Sequence, residues 1–250
     1  MKYKKYVTFS FDDGIEQDKK LIALMKKYKL KGTFNISSGI LGKHQVVAGF
    51  KTFGFMEQEE YTKRHSWMSY VPQYRIRKNE IVKVYEGFEV ASHAYRHESF
   101  GTIKKEKMQE SVDLDLYNLE QIVGYKIRGH AYAKGAASKA AQDYLKQKGI
   151  VYARNTRSSN NFFFPESPLN FSPTCSHTSK KVFHLIDEFL AREPVDDDMM
   201  LYIWGHGYEC DYNTADASWE KIEKIFSQIS SHKELTYCTN IEAFEEHAMH

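Results

Sequence analysis

The most constraining feature of this sequence is a strand–helix–strand pattern within its first 36 residues. Val7 to Phe11 is rich in β-branched and aromatic residues, which is typical of a strand. Gln17 to Tyr28 has an apolar stripe at helical spacing with lysines on its other side, and Thr33 to Ile36 predicts a second strand. Two strands joined by a helix over so short a segment run parallel, so we expect a parallel sheet.

The same alternation continues to the end of the chain. Further strands are predicted at 88–91, 126–128, 150–154, 199–204 and 235–238. Further helices are predicted at 79–85, 104–123, 138–148, 179–190, 217–229 and from 239 onward. With no obvious linker and no internal repeat, we predict a single α/β domain over residues 1–250. Its simplest architecture is an irregular (β/α) barrel of about seven parallel strands.

Residues 44–73 interrupt this alternation with glycines, mixed charges and several aromatic side chains. We predict an insertion over one rim of the domain, partly helical around 57–64. Thirty residues of plain loop are uncommon in a compact domain unless they are functional. A lid over a site, a wall of a binding groove and a packing excursion are all consistent with this composition.

Composition and charge exclude several classes of function. The formal net charge of +2 is too small to indicate a nucleic-acid-binding protein, and no apolar run approaches a membrane span. The chain enters a strand without a signal-peptide pattern, so we expect a cytoplasmic protein, or an exported one whose signal has been removed. Three cysteines without C-x-x-C spacing favour neither a disulfide framework nor a cysteine zinc site. The sequence does not indicate an oligomeric state.

Acidic and imidazole side chains follow several of the predicted strands. Asp12 and Asp13 end the first strand, His93 and His97 follow the third, and His206 follows the apolar strand at 199–204. Each has a simpler interpretation, as an Asp-Gly turn, a surface histidine pair or a histidine in a turn. However, the carboxyl ends of parallel strands meet at one rim of a barrel, so we expect these five side chains to converge.

Their chemistry indicates a metal site with an acid/base pair beside it. One carboxylate and two imidazoles form a three-ligand set that suits Zn²⁺ and leaves room for water and substrate. Co²⁺, Ni²⁺ or Fe²⁺ would fit the same ligands. His93 and His97 are four residues apart, so a helical turn would place both rings on one face. A second carboxylate and a third histidine remain for proton transfer.

In these motifs the chain resembles the polysaccharide deacetylases, the NodB-homology type of carbohydrate esterase. The family's T-F-D-D-G motif is similar to Thr8–Gly14, with the match centred on Phe11 to Gly14. Its H-[ST]-x-x-H motif is similar to His93–His97, with Ala94 in place of serine or threonine. Its L-x-x-H motif is similar to Ile203–His206. Order and spacing match over nearly the whole chain.

The resemblance implies a metal-dependent hydrolase that removes acetyl groups from an N-acetylated sugar or polysaccharide. Asp13, His93 and His97 would hold the metal, most simply Zn²⁺. Asp12 would be the general base that activates water, and His206 would protonate the leaving amine. The partner implied is a carbohydrate or another small-molecule substrate.

The family's third motif, R-P-P-[YFW], is only partly matched. The segment Gly129–Tyr132 lies in its place without either proline. We expect the backbone N–H of Tyr132 to stabilise an oxyanion. Arg128 is the candidate for the arginine that pairs with the general base, although it is one residue out of register. Arg154, just past the next strand, could substitute for it.

A fourth motif containing Asp-Trp has no counterpart in residues 155–177. The group that tunes His206 therefore stays open, with Glu209 and Asp211 as nearby possibilities. These departures indicate an atypical branch of the family. Hydrolysis of a non-sugar C–N bond, as in a cyclic imide or ureide, and an inactive sugar-binding relative are the alternative functions. An open aromatic groove would favour oligosaccharide, and a closed pocket under residues 44–73 would favour a small molecule.

Overall fold

The structure, a computed structural model, describes residues 3–48, 51–57 and 71–249. Its strands are β1 (Lys5–Asp12), β2 (Thr33–Ile36), β3 (Lys43–Ala48), β4 (Lys51–Glu57), β5 (Val71–Tyr74), β6 (Glu89–Ser92), β7 (Gly129–Ala131), β8 (Tyr152–Arg154), β9 (Cys175–Ser176), β10 (Met199–His206) and β11 (Leu235–Tyr237). Its α-helices are α1 (Asp18–Lys27), α2 (Ile81–Val84), α3 (Lys105–Val123), α4 (Lys139–Gln147), α5 (Val182–Ala191), α6 (Trp219–Ile229) and α7 (Asn240–His247).

Eight strands within the described ranges form one parallel sheet in the order β8-β7-β6-β2-β1-β10-β9, with β11 paired to the start of β1. The sheet curls into an open barrel, which confirms the predicted fold class. Six of the seven predicted strands overlap observed ones, and the fourth lies next to its predicted position. The eighth is the two-residue β9, in the segment 155–177 that lacks a recognisable motif.

The fourth strand was predicted three residues too early, at 126–128. Lys126 and Arg128 are exposed in the turn after α3, which ends at Gly124 with a positive φ of 77°. Residues 129–131 are the buried ones, and they pair with β6 and β8. Burial between two neighbouring strands therefore decides where this strand begins.

Strand β1 is buried on both faces, and its alternation determines what enters the barrel. The odd-numbered residues from Val7 to Phe11 pack towards the surrounding helices, where the Phe9 ring meets Phe226 of α6 edge-on at 4.9 Å. The even-numbered side chains are also buried: Tyr6, Thr8, Ser10 and Asp12. Because side chains alternate along a strand, Asp12 shares the inner face with Ser10.

Residues of the predicted insertion form a second, antiparallel sheet in the order β4-β3-β5. Of the helix predicted around 57–64, residues 58–64 lie outside the described residues, and Glu57 ends β4. After β5 the chain returns to the barrel, where Arg75 forms a bridge with Ile15 and the Ile76 N–H donates to Gly14. These backbone hydrogen bonds attach the inserted sheet to the barrel next to the end of β1.

None of the helices in the described part of the chain has both the length and the apolar character that a bilayer crossing requires.

Candidate metal centre

Three potential metal ligands meet at the carboxyl end of the parallel sheet. Asp13 follows β1 and His93 follows β6, and His97 lies four residues after His93. Asp13 Oδ1 is 3.7 Å from His97 Nε2 and 4.0 Å from His93 Nε2. One ligand atom from each residue lies within 4.8 Å of the other two. The structure thus brings together the acid and the two imidazoles that the sequence places far apart.

The two histidines converge through a reversal of the backbone and not through the predicted helical turn, which is wrong. Ala94 and His97 have positive φ values of 65° and 59°, so this segment cannot continue as a right-handed helix. The rings nevertheless lie 4.9 Å apart between centroids. Asp13 also has a positive φ, 83°. Left-handed backbone is unfavourable for residues with a side chain, so its presence at three of these positions indicates that the surrounding fold imposes it.

The protonation of these groups fits a divalent cation. His93 Nδ1 lies 2.8 Å from the Ala131 carbonyl oxygen and donates to it, while His93 Nε2 is buried without a hydrogen-bond partner in the described ranges. Its lone pair is therefore directed among the other two ligands. Burial lowers the pKa of His97 to about 4, which keeps that imidazole neutral. Neutral imidazoles with an ionised carboxylate are the donor set that metals such as Zn²⁺ take.

Arg75 contacts the metal-ligand candidate Asp13, and no motif indicated it. Its Nη2 donates to Asp13 Oδ1 over 3.1 Å, and its Nη1 lies 3.3 Å from the side-chain oxygen of Gln73. Burial alone would raise the pKa of Asp13, but the Arg75 guanidinium, helped by the protonated His206, outweighs it and holds that pKa far below its usual value. Asp13 is consequently ionised at any ordinary pH.

Asp12 is held by one oxygen and presents the other to the cleft. Its Oδ1 accepts hydrogen bonds from the Arg154 guanidinium and, over 2.9 Å, from Asn35 Nδ2. Its Oδ2 lies 3.9 Å from both His93 Nε2 and His206 Nε2. Burial would raise the pKa of Asp12, but Arg154 and the protonated His206 lower it. The carboxylate is therefore ionised, with a free oxygen between the metal ligands and the third histidine.

His206 is fixed by Glu209, three residues further along the chain. The first turn after β10 folds back, so that Glu209 Oε2 accepts from the His206 backbone N–H over 2.9 Å and from its Nδ1 over 3.2 Å. His177 Nε2 also donates to the same oxygen over 3.0 Å. Burial would lower the pKa of His206, but Glu209 raises it to about 9. Its imidazole is therefore protonated at neutral pH.

These groups line one open cleft of about 630 Å³. Its floor is formed by the two aspartates and three of the histidines: Asp12, Asp13, His93, His97 and His206. Most of the residues that form its walls are polar or charged: Gln73, Arg96, Glu98, Ser99, Thr102, Ile103, Lys134, Thr156 and Tyr208. A second depression of about 440 Å³ adjoins it and shares Arg96, Glu98 and Ile103 with it. The cleft thus extends along the start of α3.

A comparison with protein-family models identifies the family of this chain. The family model described as polysaccharide deacetylase matches residues 2–153, more than half of the chain. The chain belongs to the polysaccharide deacetylase family. A search of curated proteins returned no match.

Solved structures share the fold of this polysaccharide deacetylase family member at low identity. A Mycobacterium smegmatis protein named as a candidate polysaccharide deacetylase is 12% identical, with a TM-score of 0.64 over 100% of this chain and 92% of that one. PuuE allantoinase is 12% identical, with a TM-score of 0.62 over 99% and 91%. A family 4 acetyl xylan esterase from Clostridium thermocellum, in complex with a cobalt ion, is 12% identical, with a TM-score of 0.55 over 97% and 91%.

Within the family pattern, two of the sequence-based assignments in the third motif are wrong. Arg128 precedes β7, is exposed, and pairs with Glu245, so it lies at the amino end of its strand. Arg154 is the arginine that reaches the general-base candidate Asp12, because it ends β8 with its side chain inside the barrel. An arginine has to follow its strand, and not precede it, to reach this rim.

The second assignment that the structure corrects is that of the Tyr132 N–H as the oxyanion donor. Its backbone N–H donates to the Arg154 carbonyl over 3.0 Å, which continues the pairing of β7 with β8. Its hydroxyl donates to the Leu169 carbonyl over 2.7 Å, and the residue is fully buried. Since its N–H is already used in the sheet, Tyr132 has no free donor for an oxyanion.

Of the two acids that the sequence offered for His206, Glu209 makes the contact. Asp211 accepts instead from Gln17 Nε2 over 2.8 Å and from the Trp219 indole over 2.7 Å. His177 was not singled out in the sequence, because it ends the irregular segment 155–177 with no pattern around it. Its position after the short strand β9 is the only local signal that could have indicated it.

Proposed function

We propose that this member of the polysaccharide deacetylase family is a metal-dependent hydrolase that removes the acetyl group from an N-acetylated sugar. The observation that supports it most strongly is the meeting of Asp13, His93 and His97 beside Asp12 and His206 in one open cleft. A divalent metal ion, for which Zn²⁺ is our first choice, would lower the pKa of water and polarise the amide carbonyl when bound there.

In this proposal Asp12 is the general base. Arg154 and Asn35 hold its Oδ1, so rotation of the carboxylate is restrained and Oδ2 stays directed to the cleft. Its lowered pKa keeps it able to accept a proton from the attacking water at neutral pH. Arg154, which does not line the cleft, acts on the reaction by orienting Asp12.

His206 is the general acid of the same reaction. Glu209 accepts from Nδ1, so the second proton of the imidazolium is on Nε2, the nitrogen that faces Asp12 Oδ2 at 3.9 Å. With a pKa of about 9 the ring carries that proton at neutral pH. It can then be given to the nitrogen of the departing amine, which would otherwise leave as an unstable anion.

The shape of the cleft favours an extended substrate. The main cleft runs into the second depression across Arg96, so a chain of more than one sugar could lie from the metal centre to α3. Among the described lining residues of the main cleft, Tyr208 is the aromatic one, so stacking on several rings does not account for binding there. Whether residues 44–73 close over the cleft stays a prediction.

Hydrolysis of a ureide C–N bond is the second candidate. The polar and charged side chains around the cleft and the likeness to PuuE allantoinase over nearly the full chain support it. The same metal ligands and proton donors would serve that reaction, since it is also the attack of water on an amide-like carbonyl. A ureide would occupy the floor of the cleft and would not need the second depression.

The test is to replace Asp13 with Ala and to measure bound zinc together with deacetylation of N-acetylglucosamine oligomers. We expect both to be lost. Asp197→Ala is the control, because the exposed Asp197 forms, with the buried Asp198 and the partly buried His247, a second group that could hold metal adventitiously. Full retention of zinc and activity in Asp13→Ala would refute the proposal. Metal-loaded protein that hydrolyses allantoin but no acetylated sugar would favour the second candidate, and protein inert on both would favour an inactive relative.

A further inference from the structure

The two carboxylates on the floor of the cleft are already neutralised by protein. Asp12 pairs with Arg154, and Asp13 pairs with Arg75. All four side chains have exposed fractions of 5% or less, so these are buried ion pairs. Similarly, the charge of His206 is matched by Glu209. A divalent cation bound by Asp13 would therefore bring positive charge that these acids do not offset.

Two further cations line the same cleft from different parts of the fold. Arg96 lies in the reversal between the two histidine ligands, and Lys134 lies in the loop between β7 and α4. Both are exposed, and in the described ranges neither side chain forms an ion pair with a carboxylate. Lys134 has a positive φ of 59°, so the backbone there is held in a conformation that is rare for lysine.

The one other acid of the cleft wall is engaged elsewhere. Glu98 Oε2 accepts from the Arg96 backbone N–H over 2.7 Å and from the Ser111 hydroxyl of α3 over 3.0 Å. These bonds direct the carboxylate towards α3. These neutral donors do not cancel the charge of Glu98, so two cations against one acid leave the described cleft wall with a net positive charge. A cleft with low-dielectric walls concentrates the field of its charges.

We propose that this cleft selects a substrate with an anionic group, a carboxylate or a phosphate, which Arg96 and Lys134 bind while the scissile amide lies at the metal ligands. The inference deepens the proposed function, since it rests on an N-acetylated sugar being the substrate. An uncharged sugar would leave the excess positive charge of the wall and of the metal without a counter-charge, whereas an acidic one would match it.

Sugar binding to the zinc-loaded protein tests the proposed selectivity. The Asp12→Asn variant is used so that the bound sugar is not hydrolysed. The probes are N-acetylglucosamine, its 6-phosphate and N-acetylmuramic acid, which carry no charge, a phosphate and a carboxylate respectively. We expect at least one acidic sugar to bind about tenfold more tightly than the neutral one at low salt. The preference should shrink at about 0.5 M NaCl, because salt screens exposed charges. Which acidic sugar is preferred separates phosphate from carboxylate.

The double variant Arg96→Gln/Lys134→Gln should lose this preference. Lys83→Gln/Lys146→Gln, exposed lysines that do not line the cleft, removes the same net charge and should keep the preference. Equal binding of all three sugars, no binding of the acidic ones, or a preference that survives in Arg96→Gln/Lys134→Gln would each overturn the inference.

Turnover by the wild-type enzyme separates this inference from the proposed function. Hydrolysis of N-acetylglucosamine oligomers without any preference for acidic sugars would retain the deacetylase and overturn the anion site. Preferential binding of an acidic sugar without hydrolysis would retain the anion site and contradict the deacetylase.

Discussion

Arg75 Nη2 donates to Asp13 Oδ1 over 3.1 Å, and the exposed fractions of the two side chains are only 1% and 5%. Asp13 is a proposed metal ligand, whereas Arg75 follows the last strand of the inserted antiparallel sheet. The Arg75 N–H also donates to the Lys43 carbonyl at the start of that sheet. The insertion is thus connected to the metal centre through one buried ion pair.

Replacing Arg75 with Gln should destabilise the metal-free protein more than the zinc-loaded one. Without Arg75 the ionised Asp13 is a buried charge with no strong partner, at a cost of about 3 kcal/mol, and a bound divalent cation restores one. Thermal unfolding with and without Zn²⁺ measures both states. Arg77→Gln, an exposed arginine two residues away, should change neither midpoint. A metal-free Arg75→Gln protein as stable as wild type would contradict the role given to this pair.

Arg154→Gln should lower kcat by about 10- to 100-fold, because Asp12 would lose the cation that fixes its orientation and keeps it ionised. The pKa of Asp12 should rise, so the acid limb of the pH–rate profile should move to higher pH. Arg128→Gln is the matched control, since its partner is Glu245 at the surface, and it should be fully active. An inactive Arg128→Gln enzyme beside an active Arg154→Gln enzyme would reverse our correction of the third motif.

Glu209→Gln should move the alkaline limb of kcat/KM to lower pH. The pKa of His206 is raised to about 9 by Glu209 against the opposing effect of burial, so the protonated acid is present below that pH and is lost as the pH rises through it. Without the carboxylate, burial remains and the pKa falls by at least about one unit. Asp211→Asn is the control, because Asp211 does not contact His206. An unshifted alkaline limb in Glu209→Gln would exclude His206 as the general acid.

Glu89→Gln should be more stable than wild type at alkaline pH. Glu89 is buried and accepts from the Thr33 hydroxyl over 2.6 Å, the Tyr152 hydroxyl over 2.8 Å and the Ile241 N–H over 2.9 Å. Burial nevertheless raises its pKa to about 7. The folded state therefore holds a proton that the unfolded chain, with its ordinary pKa of 4.5, gives up more readily.

Stability from this group is fully present below pH 4.5 and is lost as the pH rises through about 7. The loss amounts to about 3 kcal/mol, and Gln cannot ionise, so the variant should not show it. The free energy of unfolding of both proteins, measured by urea denaturation at pH 5 and pH 8, checks this. If the difference between the two proteins does not change with pH, Glu89 ionises freely in the folded state.

The strand and helix pattern carries most of the information on the fold. The buried strand β10 is a nearly continuous apolar run, β1 is rich in β-branched and aromatic residues, and helices such as α6 have one apolar face. These local patterns identify the elements without any tertiary contact. The motifs around Asp12, His93 and His206 could be recognised in the same way, because they directly follow those strands. The position of β7 could not be recognised in this way, because the buried residues 129–131 begin three residues later than the local sequence predicts.

The side chains that complete the site could not be identified from the sequence. Their partners are distant in the chain, and no local sequence pattern links the two members of a pair. Arg154 reaches Asp12 across 142 residues, and Arg75 reaches Asp13 across 62. Arg128 appeared closer to the motif, yet it precedes its strand and therefore points away from the rim. Periodicity thus determined the order of the elements and the rim that carries the chemistry. The curl of the parallel sheet decided which charges face each other there, since only packing in three dimensions selects a buried ion pair.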